Sequence, residues 1–151
     1  MSARPPVVVR ELLASDLEEA WALDQRCFEP GIAYSRAEIR SFFVRPGAVA
    51  LAAERGGRLD GFAIAERRGA RGHVITIDVA EGARRRGVGR RLFTELFARL
   101  EDAGAREIRL EVDVRNAGAI RFYETLGFGR TRIRRGYYGR GLDAYEMVRG
   151  G

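Results

Sequence analysis

Between Gly72 and Leu100 the chain changes its period once, and that change limits the folds open to it. GHVITIDV (Gly72–Val79) is dense in β-branched side chains and reads as a strand. Val88, Leu92, Phe93, Leu96, Phe97 and Leu100 then recur every three or four residues, the pattern of an amphipathic helix. The join, EGARRRGVGRRLF (Glu81–Phe93), holds five arginines and three glycines in thirteen positions. A strand that turns through glycines into a helix is a unit of α/β architecture, and the turn aims several backbone N–H groups at one point.

The remaining elements are legible around this unit. Val7–Leu12 is a short β-rich run. Ser15 with Glu18 forms a capping-box pattern before a helix that places Leu17, Ala20, Trp21, Asp24 and Phe28 on one face. Ser35 with Glu38 repeats the pattern for a second short helix toward Phe43. GAVALAAER and RLDGFAIAERR read as two strands around the Gly56-Gly57 turn. Gly104 suits the left-handed end of the long helix. EIRLEVDV (Glu107–Val114) alternates, with Ile108, Leu110, Val112 and Val114 on one face. Asn116 caps a helix through Tyr123 that Gly127 ends, and FGRTRIRR and DAYEMV supply two last strands. The order β-α-α-β-β-β-α-β-α-β-β, without repeat or linker, predicts one α/β domain over residues 1–151, a mixed sheet with helices on its faces.

Composition excludes several functions. No apolar run approaches the roughly 20 residues of a membrane span, and the start, MSARPPVVVREL, lacks the apolar core of a secretion signal. Cys27 is the single cysteine, which rules out an intramolecular disulfide and predicts a reducing, cytoplasmic setting. With His73 the single histidine, no protein-only zinc site is expected. The net charge is +6 and every basic side chain is arginine. Without lysine there is no Schiff-base chemistry and no Walker A loop. A basic surface favours anionic partners, whether a nucleotide cofactor, RNA or a ribosome.

The glycine-arginine turn fits three uses. Gly87 and Gly89 let a ligand approach the backbone, the helix start adds partial positive charge, and Arg84, Arg85, Arg86 and Arg90 offer charge-assisted bonds to phosphate. GVGRRL departs from G-x-G-x-x-G, so a plain helix start remains open, as does an arginine-rich loop for RNA.

RRRGVGRRLF resembles the pyrophosphate-binding R/Q-x-x-G-x-G/A motif of the GNAT superfamily of acetyl-CoA-dependent N-acetyltransferases. NAGAIRFYETLGF (Asn116–Phe128) resembles that family's N-x-x-A-x-x-x-Y-x-x-x-G-F segment. The resemblance spans nearly the whole chain. It implies the GNAT fold, a mixed, mostly antiparallel sheet with a central splayed parallel strand pair and flanking helices. It also implies acetyl-CoA as cofactor, its pyrophosphate held by backbone N–H groups of Arg85, Arg86, Gly87, Val88, Gly89 and Arg90. Ile77, Asp78 and Val79 would pair with the pantetheine amides, Asn116 would bond the pantetheine arm, and the Tyr123 phenol would meet the CoA sulfur as general acid.

Three further stretches, LEV (Leu110–Val112), GHVITIDV and IRRGYYGRGLDAYEM (Ile133–Met147), resemble the ribosomal-protein-alanine (RimI-type) and related protein N-terminal acetyltransferases. They imply a protein α-amine as acceptor, ribosomal proteins included, with no direct nucleic-acid or membrane partner. Tyr34 stands where that group carries an aromatic, often tryptophan. With Tyr137 or Tyr138, placed by sequence in the loop between the last two strands, it would wall a peptide slot. Alone, the YYGRG patch would equally suit stacking on RNA bases.

Glu111 alternates against Leu110 and Val112, an unfavoured glutamate in mid-strand. It is either a solvated or Arg109-paired side chain or, as the resemblance implies, a general base acting directly or through water. His73 is either a hydrogen-bonded strand-end residue or, by the same likeness, a proton relay. Two rival functions remain. One keeps the chemistry and changes the acceptor to a small-molecule or lysine amine. The other is a noncatalytic RNA- or CoA-binding module, which would need neither Glu111 nor Tyr123.

Overall fold

The structure, a computed structural model, describes residues 5–150; the extreme start of the chain, on which the leader reading partly rests, lies outside them. Strand β1 (Val8–Glu11) and a 3-10 turn (Ala14–Asp16) lead into helices α1 (Leu17–Cys27) and α2 (Arg36–Phe43). Strands β2 (Ala48–Arg55), β3 (Arg58–Arg68) and β4 (Arg71–Val79) follow, and a second 3-10 turn (Glu81–Ala83) opens onto α3 (Val88–Asp102). Strand β5 (Glu107–Asp113), helix α4 (Ala117–Thr125) and strands β6 (Gly129–Gly139) and β7 (Leu142–Gly150) complete the described chain. This is the order expected from sequence, and no helix among the described residues is long and apolar enough to cross a membrane.

The strands form one sheet in the order β1-β2-β3-β4-β5-β7-β6. Neighbours are antiparallel except β4 and β5, which are parallel. Their pairing covers only three rungs and stops at His73↔Arg109. Just beyond, Ala65 of β3 faces Val74 while Ile64 faces Thr76, leaving Ile75 unpaired. Such a bulge bends its strand, so β4 swings away from β5 and a cleft opens in mid-sheet.

Why β3 reads as a continuous apolar run is now clear: both faces of it are covered. Phe62 and Ile64 pack toward α1 and α2 with Leu23 and Ile39, whereas Ala63 and Ala65 face α3 and its Leu92, Phe93, Leu96 and Leu100. Gly61 is required by close approach, since a Cβ there would stand 2.7 Å from the Asp78 carbonyl oxygen.

Local expectations differ in three places. Ser15 does not cap α1; Asp16, one residue on, accepts the Leu13 N–H at 2.7 Å and pairs with Arg10 at 2.7 Å, so a 3-10 turn precedes the helix. By contrast, the Ser35–Glu38 box forms in full, with reciprocal bonds of 3.1 and 3.0 Å. Tyr137 and Tyr138 belong to β6 rather than to a loop, because an irregular register between Arg134 and Gly139 lets the strand continue past the expected turn. Val114 lies beyond the end of β5, where its N–H bonds the Asp143 carbonyl.

Candidate active site

The cleft between β4 and β5 is a cavity of about 420 Å³. One wall is Val74–Ile77 of β4 and another is Leu110–Asp113 of β5. The connection from α1 to α2 contributes Phe28, Glu29, Ile32 and Tyr34, and Asn116, Tyr123 and Tyr138 close the remainder. Alternation fixes which backbone groups face it. Ala80 donates to the Asp60 carbonyl of β3 and Asp78 pairs with Phe62, so Ile77 turns its N–H and C=O groups, and Val79 its N–H, to the open edge, while the Val79 carbonyl is taken by Arg84 and Cys27.

Glu111 lines this cavity, and its side chain is only 5% exposed. Oε1 is taken: His73 Nε2 lies 2.6 Å away and the Tyr137 hydroxyl donates at 3.0 Å. Arg109 Nε stands 3.6 Å from Oε2, outside hydrogen-bond range, and no other described group bonds that oxygen. Oε2 is therefore the oxygen open to an incoming group. Burial alone would raise the Glu111 carboxyl, but His73, Tyr137 and Arg109 outweigh it and hold the group below its ordinary value. An ionised carboxylate only accepts, so His73 carries its proton on Nε2. His73 does not itself line the cavity.

Tyr123 of α4 lines the same cavity as Glu111. Its ring packs edge-on against Phe93 at 5.7 Å and beside Phe122 and Phe128. Among the described residues no group hydrogen-bonds its hydroxyl, and burial, with the Asp78 charge, raises the phenol well above its usual value. It is a committed, unpartnered donor. Tyr34, its amide anchored on Asp24 at 2.7 Å and its ring edge-on to Phe42, shares the cavity wall with Tyr138. Tyr137 stands behind it, stacked edge-on with Tyr138 and with its phenol pushed up to about 12 by burial and the adjacent Glu111.

At the start of α3 the Arg91 N–H is the first to bond within the helix, to Gly87. No side chain caps the end, so the N–H groups of Val88, Gly89 and Arg90 point outward unpaired. Arg85 (φ 67°) and Gly87 (φ 79°) are left-handed, and Arg85 is the only such non-glycine among the described residues. Alternation of this kind makes an anion-binding concavity. Arg86 contributes its side chain only, because its N–H is spent on Ala83. Arg85 and Arg86 are exposed and make no ion pair with described residues.

Several expected contributors are placed elsewhere. Arg84, though exposed, donates to the Val79 carbonyl at 3.1 Å and toward the Cys27 sulfur, which holds its side chain against the end of β4. Arg90 bonds Thr125 across to α4. Asp78, expected along the cofactor edge, turns its backbone groups to Phe62 of β3 instead, and its side chain is buried, 1% exposed, on the face away from the α3 core that Ile77 and Val79 join. The Asn116 side-chain oxygen caps α4 through the Ala119 N–H at 3.1 Å, which leaves its amide N–H groups for the cavity.

Two features were not anticipated. Arg115 joins Asp113 at 2.6 Å to Glu29, a bridge between the β5 end and the α1–α2 connection at the cleft mouth. Asp24 lies fully buried beside Asp78; its place on the apolar stripe of α1 was the signal available in the sequence. Among the described residues no group of His, Cys, Asp and Glu is arranged to hold a metal ion.

Comparison with known proteins agrees with this architecture. Residues 15–128 match the Acetyltransferase (GNAT) family. The chain is 36% identical over 129 residues to the [Ribosomal protein bS18]-alanine N-acetyltransferase of Salmonella typhimurium, covering 84% of each. It is 42% identical over 80 residues to an N-alpha-acetyltransferase of Saccharolobus solfataricus, of which it spans 48%, about half the length. The crystal structure of the ribosomal-protein-S18-alanine N-acetyltransferase from Escherichia coli superposes with a TM-score of 0.86 at 30% identity, covering 96% of this chain and 94% of that one. The splayed β4–β5 pair, the uncapped helix start and these matches lead to one assignment: the chain belongs to the GNAT family of acetyltransferases.

Proposed function

We propose that this protein transfers the acetyl group of acetyl-CoA to the N-terminal α-amine of a protein in the cytoplasm, with ribosomal proteins the favoured acceptors. The observation that carries the reading is Glu111 Oε2 and the Tyr123 hydroxyl on one cleft, an acceptor and a donor of protons that a binding module would not need. Relatives that act on the alanine of a ribosomal protein support the acceptor class. Arg84 and Arg90 are turned onto the protein, which favours a cofactor role for the loop over an RNA-binding one.

The residues present fit acetyl-CoA. The unpaired N–H groups of Val88, Gly89 and Arg90, with those of Arg85 and Gly87, would hold its pyrophosphate, assisted by the Arg85 and Arg86 side chains. The open N–H and C=O groups of Ile77 and the N–H of Val79 would pair with the pantetheine amides, and Asn116 would donate to the same arm. When bound, the cofactor supplies an acetyl thioester whose thiolate the amine displaces.

The protein's part is to place two protons. Glu111 is too acidic to strip an α-ammonium of pKa about 8 outright, because its carboxyl is held below its ordinary value. Oε2 instead orients the neutral amine and takes its proton once the nitrogen, bonded to the acyl carbon, has become acidic. His73 and Tyr137 hold Oε1, which fixes the carboxylate plane; they act through Glu111. Tyr123, less acidic than a thiol of pKa about 8.5, would stabilise the departing sulfur by donating a hydrogen bond and, as general acid, would pass on a proton that solvent returns to the phenol.

The test is acetyl-CoA consumption on free and N-terminally blocked peptides, ribosomal N-termini among them, beside polyamines and lysine-containing controls. Turnover that requires a free peptide α-amine supports the proposal. Turnover confined to polyamines or other small amines would assign a small-molecule acceptor instead.

A further inference from the structure

Beneath the cleft lie two carboxylates that the chemistry above leaves unused. Asp24 of α1 is 0% and Asp78 of β4 is 1% exposed. Each spends one oxygen on a neighbour. Asp24 Oδ2 accepts the Tyr34 N–H at 2.7 Å, and Asp78 Oδ1 accepts the Thr76 hydroxyl at 2.5 Å. The other two oxygens, Asp24 Oδ1 and Asp78 Oδ2, are fully buried and have no donor. The two side chains hydrogen-bond to each other, and one carboxyl can donate to another only when the pair holds a proton.

We propose that Asp24 and Asp78 share a single proton and so act as positioning residues, bolting the acceptor-side connection to the cofactor strand. The chain of contacts runs from the Tyr34 backbone through Asp24, the proton and Asp78 to Thr76. Tyr34 and Thr76 both line the cavity, on its acceptor and cofactor sides. Burial, then the bond and charge of Asp24, push the Asp78 carboxyl well above its ordinary value, against smaller opposing effects of Thr76 and Arg84. The other groups that face the pair are Cys27 of α1, Tyr34 of the α1–α2 connection and Tyr123 of α4. Burial raises all three, so they stay neutral, and Arg84 is the one cation among these neighbours. The kinetic half of this inference rests on the proposed acetyl transfer; the shared proton does not.

Amides separate the possibilities. In Asp78→Asn the side-chain oxygen keeps Thr76 and its N–H replaces the proton toward Asp24; Asp24→Asn does the reverse. In the double variant two amide N–H groups oppose each other and the bolt is broken. A folded-state pKa raised above the unfolded value near about 4 means that stability is full below that value and falls as pH rises toward the folded one. The wild-type folding constant, divided by that of Asp78→Asn, should therefore fall about tenfold per pH unit above about pH 4.5. Denaturant titrations of the full chain from pH 5 to 8 read this directly, and a flat ratio would refute the shared proton. In peptide kinetics each single variant should stay near wild type. The double variant should raise the peptide KM about tenfold, as for one lost loop hydrogen bond, with kcat largely kept. Single variants as impaired as the double, or a double variant equal to wild type, would overturn the bolt. If wild type acetylates no peptide, the acceptor proposal fails while the stability ratio still decides the proton.

Discussion

His73 Nε2 and Glu111 Oε1 meet at 2.6 Å just where β4 and β5 part. His73 sits on the last paired rung, opposite Arg109, and Glu111 is two residues further along β5. One residue lies at the hinge of the cleft and the other inside it. The contact ties the carboxylate to the point of splaying and assigns the two residues unequal roles: Glu111 reaches the cavity, and His73 reaches Glu111.

Glu111→Gln and Tyr123→Phe should each lower turnover by about 10²–10⁴, the usual weight of one general acid or base, with CoA affinity largely kept. Steady-state kinetics beside calorimetric CoA binding checks both. Unchanged rates in the two variants would exclude the proton roles.

The acid side of the pH profile follows from the donors on Glu111. Their net effect is a carboxyl held below its ordinary value, so wild-type activity that depends on its charge is lost only as pH falls through that depressed value. His73→Ala removes the larger of the opposing donors and lets burial dominate; Tyr137→Phe removes a smaller one. The acid limb of kcat/KM should move to higher pH in both variants, further in His73→Ala. The depressed carboxyl also stabilises the fold above the unfolded value of about 4.3, a contribution lost as pH falls through the folded one.

Gly87→Val should weaken CoA binding severely. The glycine has φ 79°, and a Cβ there would meet no protein atom within 4 Å. The fold therefore pays only the left-handed backbone strain, about 1–2 kcal/mol, while any bound phosphate meets the new side chain. Normal affinity by calorimetry in a folded variant would show that the cradle lies elsewhere.

Asn116 has two duties that one substitution separates. Asn116→Asp retains the oxygen that caps α4 at the Ala119 N–H, so stability should change by less than about 1 kcal/mol. It removes the amide N–H and places a negative charge on the cofactor arm, so CoA should bind more weakly. Asn116→Ala should lose about 1 kcal/mol of stability as well. Thermal melts and CoA titrations distinguish the two.

Phe93 connects the core to the chemistry. It is 0% exposed and touches Phe97, Phe122, Tyr123 and Phe128. Phe93→Ala should cost about 3–5 kcal/mol in denaturant unfolding. It should also reduce turnover in the fraction still folded, since the Tyr123 ring loses its edge-on support.

Much of this molecule is written in local pattern. The 3.6-residue spacing from Val88 to Leu100, the Ser35–Glu38 cap and the glycine turns are decided within a few residues of chain and appear as read, and the alternation expected over Glu107–Val114 holds as far as Asp113. The helix start after Gly87 was legible too, and motif spacing singled out Glu111 and Tyr123, which line one cavity; the roles given them above are proposals. Ser15 misled because the nearby Asp16, paired with Arg10 of β1, offers a stronger acceptor, and a strand brought alongside by folding is invisible to a local reading.

What tertiary structure alone decided is which groups share a solvent-free space. Sequence places Arg84 in the loop, but only the fold turns it onto the Val79 carbonyl and Cys27. Sequence places Asp78 beside Ile77 and Val79, but the bulge at Ile75 and the packing of α1 set it against Asp24, fifty-four positions away by number. Periodicity reports which face of an element is apolar. It does not report what lies across the gap, and there the cost of an unpaired buried charge is settled by neighbours distant in the chain.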